Sequence, residues 1–185
     1  MKMIIRQRRL LFALLLTLGV FWIWYSRISP NDKNPDSIAL PQAGFQTPDF
    51  SLETTDGEVI SLSDVSGRPL LINFWASWCP PCRAEMPAIQ EVYETYKEQG
   101  FLVLAINATN QDNISAATDF IRENELGFPI LWDGEGKVSR LYQIQSLPTS
   151  FFVYPSGQIA EVVVGGPMAE AMLRIRVERL LEGKP

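Results

Sequence analysis

From Phe45 onward, short apolar runs alternate with longer amphipathic stretches. Phe50-Ser51-Leu52 and Val59-Ile60-Ser61-Leu62 alternate apolar with polar positions around Thr55-Asp56-Gly57-Glu58. An Asp-Gly step between such runs predicts a β-hairpin. Ser63 to Gly67 reads as a turn or helical stub. Leu70 to Ala76 is apolar except for Asn73, the pattern of a central strand buried on both faces. Met86, Ile89, Val92, Tyr93 and Tyr96 then recur at spacings of three and four, which predicts a helix ended by Gly100. Pro87 lies inside it and is expected to kink it.

Phe101 to Ile106 predicts a second buried strand, and the polar loop Asn110 to Asn113 caps a helix carrying Ile114, Ala117, Phe120 and Ile121, with Gly127 as its end. Phe128 to Trp132 is a short apolar segment turned by Asp133-Gly134-Glu135-Gly136, and Val138, Leu141 and Tyr142 mark a brief helix. Leu147-Pro148 precedes the strand Thr149 to Tyr154, which Pro155-Ser156-Gly157-Gln158 turns into the antiparallel strand Ile159 to Val164. Met168 to Leu181 closes the pattern as an amphipathic helix with Met172, Leu173, Ile175 and Leu180. The order is a hairpin, β-α-β-α, a short helix and β-β-α, which is an α/β mixed sheet flanked by helices.

The first 44 residues follow another pattern. Leu10 to Tyr25 is sixteen residues without a charge, preceded by a basic end. A helix of that length spans roughly 24 Å, and Arg8, Arg9 and Arg27 can snorkel to reach both faces of a hydrocarbon core of about 30 Å. Trp22, Trp24 and Tyr25 cluster at the far end as an interfacial belt would. Residues 1–27 are expected to be a cytoplasmic basic end and transmembrane signal-anchor, single-pass, with the rest on the extracytoplasmic side. The competing reading is a cleaved signal peptide; the small-residue site Ser37-Ile38-Ala39 lies well downstream of the apolar run. Residues 28–44, with Pro30, Pro35 and Pro41, read as an extended linker, and 45–185 as one folded domain.

Charge and composition then remove whole classes of function. Residues 1–27 hold five of the sixteen basic residues and no acidic one. The rest carries eleven basic against 21 acidic residues, a net charge of −10, which disfavours nucleic acid as a partner. The chain contains no histidine, so His-dependent metal sites, Cys-His and Ser-His-Asp catalysis and a histidine pH switch are excluded. Asn107-Ala108-Thr109 and Asn113-Ile114-Ser115 match the glycosylation pattern and are read as chance matches.

The only two cysteines, Cys79 and Cys82, stand where the apolar strand ends and the helix begins. At that spacing their Cα atoms lie about 5 Å apart, within disulfide range. The helix dipole and free N–H groups favour a thiolate at Cys79, so Cys79 is the expected nucleophile and Cys82 the resolving thiol. Pro80 and Pro81 contribute no N–H, so the first backbone donor after Cys79 is Cys82. Two blander readings compete. A structural disulfide over so short a loop stabilises little. A metal site cannot be completed by one Cys-x-x-Cys without further Cys or His.

The residues Pro48-Asp49-Phe50 with their hairpin, Asn73-Phe74-Trp75-Ala76-Ser77-Trp78-Cys79-Pro80-Pro81-Cys82, Glu85 with Pro87, and Leu147-Pro148-Thr149 resemble the thioredoxin superfamily. Within it they are similar to the membrane-anchored TlpA/ResA-like thiol–disulfide oxidoreductases, over about residues 44–182. The resemblance implies a thioredoxin-like fold with an added N-terminal hairpin and a central insert around 107–126. It implies a mixed disulfide at Cys79 resolved by Cys82, a cis Leu147–Pro148 bond beside the cysteines, and substrate contacts from Trp78, Pro80, Leu147, Pro148 and Thr149.

Asn73 stands where cytoplasmic thioredoxins have an aspartate, and Glu85, three residues after Cys82 on its helix face, is the expected proton relay. The alternative for Glu85 is a first-turn carboxylate complementing the helix dipole. Trp75 and Trp78 are expected in core and rim packing. No cofactor or metal is implied beyond the redox-active Cys79–Cys82 disulfide. The implied activity is extracytoplasmic reduction of disulfides in exported proteins, of the cytochrome c maturation type, with a membrane thiol transporter as electron donor. A disulfide-forming oxidant, a thiol peroxidase (which lacks its usual Pro-x-x-x-Thr pattern here) and a non-enzymatic copper or assembly chaperone are the alternatives.

Overall fold

The structure is a computed structural model and describes Leu15, Thr17 and residues 39–183. The expected membrane segment, those two residues apart, and the linker up to residue 38 lie outside the described residues. Among the described residues no helix is long and apolar enough to cross a membrane.

Strand β3 (Leu70–Trp75) is an interior strand of the sheet, and all six of its residues are buried. It pairs in parallel with β4 (Leu102–Asn107) and antiparallel with β6 (Thr149–Val153). Beyond β4 come β5 (Ile130–Trp132), parallel, and then the hairpin of β1 (Ser51–Thr54) and β2 (Val59–Ser61). Beyond β6 lies β7 (Ile159–Val164), so the seven-stranded order is β2-β1-β5-β4-β3-β6-β7. The hairpin turns at Asp56-Gly57 as expected, with Gly57 at φ +82°, a conformation costly for residues with a Cβ. Residues 44–47 run along the start of β7 and the turn before it, where the Gly44 N–H donates to the Ile159 carbonyl and the Ile159 N–H to the Phe45 carbonyl.

The alternation of β3 divides the core into two layers. Leu71 and Trp75 face α1 (Pro80–Tyr96), α2 (Ile114–Glu123) and α4 (Glu170–Leu181), together with Ile89, Phe120 and Leu173. Leu70, Ile72 and Phe74 face the other side, with Phe50 and with Val138 of α3 (Lys137–Leu141). By the same alternation Asn73 belongs to the α1 side. On the opposite side Tyr142 packs on Phe74 and Phe151, and its hydroxyl donates to the Pro48 carbonyl at 2.7 Å.

Several expectations from the pattern need correction. Phe128 to Trp132 contains a true strand, β5, which joins the hairpin to the parallel strands. Gly127 does not end α2: the helix stops at Glu123, Glu125 takes the left-handed conformation, and the Gly127 N–H donates to Gln90. The buried face of α4 is Leu173, Val177 and Leu180, at spacings of four and three; Met172 and Ile175 are about half exposed on the far side. Ile114 and Leu141 are likewise exposed. Helix α1 runs unbroken through Pro87, which lies on its solvent face, and after a short 3-10 turn Gly100 ends the helical run in the left-handed conformation, as expected.

Helix α2 begins at Asn113, whose side chain accepts the Ala116 N–H at 3.0 Å. Asn113→Ala is expected to lower stability by about 1 kcal/mol, measured by urea denaturation of the oxidised protein.

Candidate functional site

After β3 the chain turns through Ala76, Ser77 and Trp78, and the Cys79 N–H donates to the Ala76 carbonyl at 3.2 Å. Cys79 is the N-cap of α1, with extended backbone, and Pro80 and Pro81 fill the first helical turn. Prolines fit there because their missing N–H groups would have no intrahelical acceptor. Cys79 and Cys82 are joined as a disulfide, with Sγ atoms 2.10 Å and Cα atoms 5.3 Å apart. The Cys82 N–H points at Cys79 Sγ from 3.3 Å, the one local backbone donor that the two prolines leave. Cys82 has no exposure and Cys79 has 2%, so the bond is reached from outside only through Cys79.

The turn before Cys79 is held by the insert. Asp112 accepts the Ser77 N–H at 2.6 Å, the Ser77 hydroxyl, Asn107 Nδ2 at 2.7 Å and the Asn113 N–H at 2.8 Å. Desolvation pushes this carboxyl up, but its hydrogen bonds outweigh that and hold it below the usual carboxylate range. Trp78 Nε1 donates to the Gln111 carbonyl at 2.9 Å while the residue is 55% exposed. Arg83 donates to the Ser77 carbonyl and stacks on the Phe120 ring at 4.3 Å. Sequence reasoning read Asp112 only as part of a polar cap. Its long-range partner is 35 residues away, and no local pattern announces it. Asn107 is buried in the same network.

Glu85 is fully buried. It lies beyond the first turn of α1, which contains no acidic residue, so complementing the helix dipole is not its role. Asn73 Nδ2 donates to its Oε1 at 2.9 Å, and the Met168 N–H donates to its Oε2 at 3.3 Å. Burial pushes this carboxyl above its ordinary value, and the two hydrogen bonds only partly offset that. Gly166 closes over it. A Cβ there would stand 2.7 Å from Glu85 Oε2 and 2.8 Å from Pro148 Cγ, so only glycine fits. Gly166 itself is exposed, which leaves Glu85 one backbone thickness from water. The Gly166–Pro167 bond is cis, a feature the sequence reading did not find.

The Leu147–Pro148 bond is cis as well, in agreement with the expectation. Pro148 lies beside Glu85 through Gly166, and Leu147 packs against the cluster that contains both cysteines. The Leu147 backbone stands outside the sheet ladder, which begins at Thr149. Thr149 is placed differently from its expected role in substrate contact: it is buried, and its hydroxyl donates to the Ser146 carbonyl at 2.8 Å. Pro80 is exposed and borders a groove of about 720 Å³ shared with Arg83, Ala84, Phe120, Glu123 and Asn124. Trp75 is fully buried against Phe120. Among the described residues, no three His, Cys, Asp or Glu side chains converge as a metal site would require.

Residues 43–162 match the AhpC/TSA family. The chain belongs to that family. It is 39% identical over 134 residues to the thiol-disulfide oxidoreductase ResA of Oceanobacillus iheyensis, covering 70% of this chain and 69% of that one. Its fold superposes with a TM-score of 0.69 on a putative thiol:disulfide interchange protein DsbE from Chlorobium tepidum, at 32% identity over 77% of this chain and 99% of that one. A secreted Mycobacterium tuberculosis disulfide oxidoreductase homologous to E. coli DsbE superposes with a TM-score of 0.64, at 25% identity over 70% and 95% of the two chains. The fold is thioredoxin-like, as expected, and the activity class is thiol–disulfide oxidoreductase.

The burial of Glu85 has a pH signature. Its folded-state pKa lies above the unfolded value of 4.5. Below that pH both states hold the proton. As pH rises, the unfolded chain ionises first, and stability is lost until the folded form ionises too. Glu85→Gln lacks this loss. Its stability relative to the parent is expected to improve as pH rises from about 4.5 and then level off, measured by urea denaturation of the oxidised form across pH. A difference that stays constant with pH contradicts the assignment.

Proposed function

We propose that this enzyme reduces disulfides of other proteins on the extracytoplasmic side of a membrane, anchored there by its N-terminal segment. The observation that carries the reading is the Cys79–Cys82 disulfide capping α1, reachable only through Cys79, with the buried Glu85 three residues further along the same helix. In the reduced enzyme the Cys79 thiolate attacks a substrate disulfide, and one substrate sulfur leaves as a thiolate that takes a proton from water. Glu85 accepts the Cys82 proton. The Cys82 thiolate then attacks Cys79 Sγ, the second substrate thiolate leaves, and the enzyme disulfide forms. Two electrons pass to the substrate, and the two sulfurs carry them without a further cofactor.

The reductive direction is supported by what the thiolate lacks. With Pro80 and Pro81 in the first turn, Cys82 supplies the one adjacent N–H, and an ionised Glu85 nearby opposes a second negative charge. A dithiol form with little stabilisation is the stronger reductant, the converse of oxidants whose reduced form is stabilised. The Leu147 backbone, free of the sheet ladder, is suited to pair with an extended substrate segment, with Trp78 and Pro80 as the opposite wall. An outward location is supported by the uncharged run 10–25 behind a basic end and by the secreted mycobacterial relative. Exported proteins with cysteine pairs, such as cytochrome c precursors, are the substrate class, and a membrane thiol transporter is the electron source.

Cys82→Ser in the full-length protein, produced in native membranes, is expected to accumulate mixed disulfides through Cys79. Identification of the joined proteins by mass spectrometry should return extracytoplasmic substrates. Recovery of Cys79 with no joined protein sinks the reading.

A further inference from the structure

Among the described residues, both hydrogen bonds that reach Glu85 are given to it: Asn73 Nδ2 to Oε1 and the Met168 N–H to Oε2. This arrangement suits an ionised carboxylate, which only accepts. A protonated carboxyl needs an acceptor too. Asn73 Oδ1 is buried and has no hydrogen-bond partner among the described residues, while Nδ2 of the same amide serves both Glu85 and Ser150 Oγ, each at 2.9 Å. A buried amide oxygen without a partner costs about 1–3 kcal/mol, so its presence in the centre of β3 requires a reason.

We propose that the Asn73 side-chain amide turns over each time Glu85 takes up or releases a proton, so that Asn73 is a positioning residue that donates to the carboxylate and accepts from the carboxylic acid. The proposal rests on the reading of Glu85 as the proton relay. Turning the amide by half a revolution exchanges Oδ1 and Nδ2. Oδ1 then accepts from protonated Glu85 and from the Ser150 hydroxyl, which donates as readily as it accepts. Two hydrogen bonds are made in either orientation, and one amide atom is left without a partner in either. The two states are thereby kept close in energy.

The proton settles on Oε1, because Oε2 already faces the Met168 N–H. The Cys82 S–H bond breaks, the Oε1–H bond forms, and the sulfur keeps the electron pair. Release of the proton to water returns the amide. The neighbours bear this out by their chemistry. On α1, Cys82 stands three residues before Glu85; β3 presents Asn73, β6 presents Ser150, and the segment after β7 presents Gly166 and the Met168 N–H, none of these four charged. An aspartate at position 73 could not alternate in this way without setting a second carboxylate against the first.

The test is NMR of the full-length reduced protein in detergent micelles, following the Glu85 side-chain carbon and the Asn73 side-chain nitrogen between about pH 4 and pH 10. The two signals are expected to titrate with one midpoint. In Glu85→Gln, which presents a neutral donor as the acid does, the Asn73 nitrogen should stay at the parent's low-pH shift at every pH. In Asn73→Ala both forms of Glu85 lose a hydrogen bond, so the Glu85 midpoint should move by less than about half a unit; a fixed Asn73 Nδ2 donor, serving the carboxylate alone, would instead let it rise by about one to two units on removal. If Asn73→Ala does not fold, the Glu85→Gln result decides. A Glu85 signal that titrates while Asn73 stays flat overturns the amide switch alone. A Glu85 signal that never titrates removes the relay and the switch together.

Discussion

Glu85 brings a carboxyl group to zero exposure, where an unpaired ionised form would cost several kcal/mol. The surrounding elements offset part of that cost without supplying a counter-charge. β3 contributes the Asn73 amide, the segment after β7 contributes the Met168 N–H, and Gly166 covers the carboxyl with bare backbone. A lysine or arginine partner would have fixed the group as a permanent anion. Neutral donors leave it able to take a proton, with burial favouring the acid and hydrogen bonds favouring the anion. Because these groups come from β3, α1 and the chain after β7, the thioredoxin-like fold has to be complete before the site exists.

The cysteines are held by a second, separate device. Asp112 gathers hydrogen bonds from Ser77, Asn107 and Asn113, and Trp78 is tied to Gln111. The insert thus grips the turn from β3 into α1 at the two residues before Cys79. It shapes the approach to the disulfide, and Glu85 is the proposed proton relay behind it. The groove beside Pro80 is lined by Phe120, Glu123 and Asn124 of the insert, and Leu147 packs against the cluster that holds both cysteines. The two proposed substrate walls thus come from distant parts of the chain.

Much of this was legible in the sequence, where local chemistry carried it. The uninterrupted apolar run of β3, the Asp-Gly hairpin and the two prolines after Cys79 each have a local physical meaning. The resemblance added the cis bond before Pro148 and the position of Glu85. What stayed hidden depends on tertiary partners. Asp112 looks like an ordinary capping residue, and Gly166 looks like a turn. The inward face of α4 was misjudged because Met172 and Ile175 share the helical spacing of buried positions while pointing outward. Thr149 fits the motif but spends its hydroxyl on Ser146. Three-residue β5 was too short to stand out from its flanking loop.

The central claim is that the Glu85 carboxyl moves protons for the cysteine pair rather than merely filling space behind it. The most direct measurement is the pH dependence of Cys79 alkylation in the reduced full-length protein, compared with Glu85→Gln. In the parent the profile should show two coupled steps, because the thiol and the buried carboxyl share one site. In Glu85→Gln a single step should remain, at a lower pH, since the anion that opposes the thiolate is gone. Superimposable profiles for the two proteins would contradict the account.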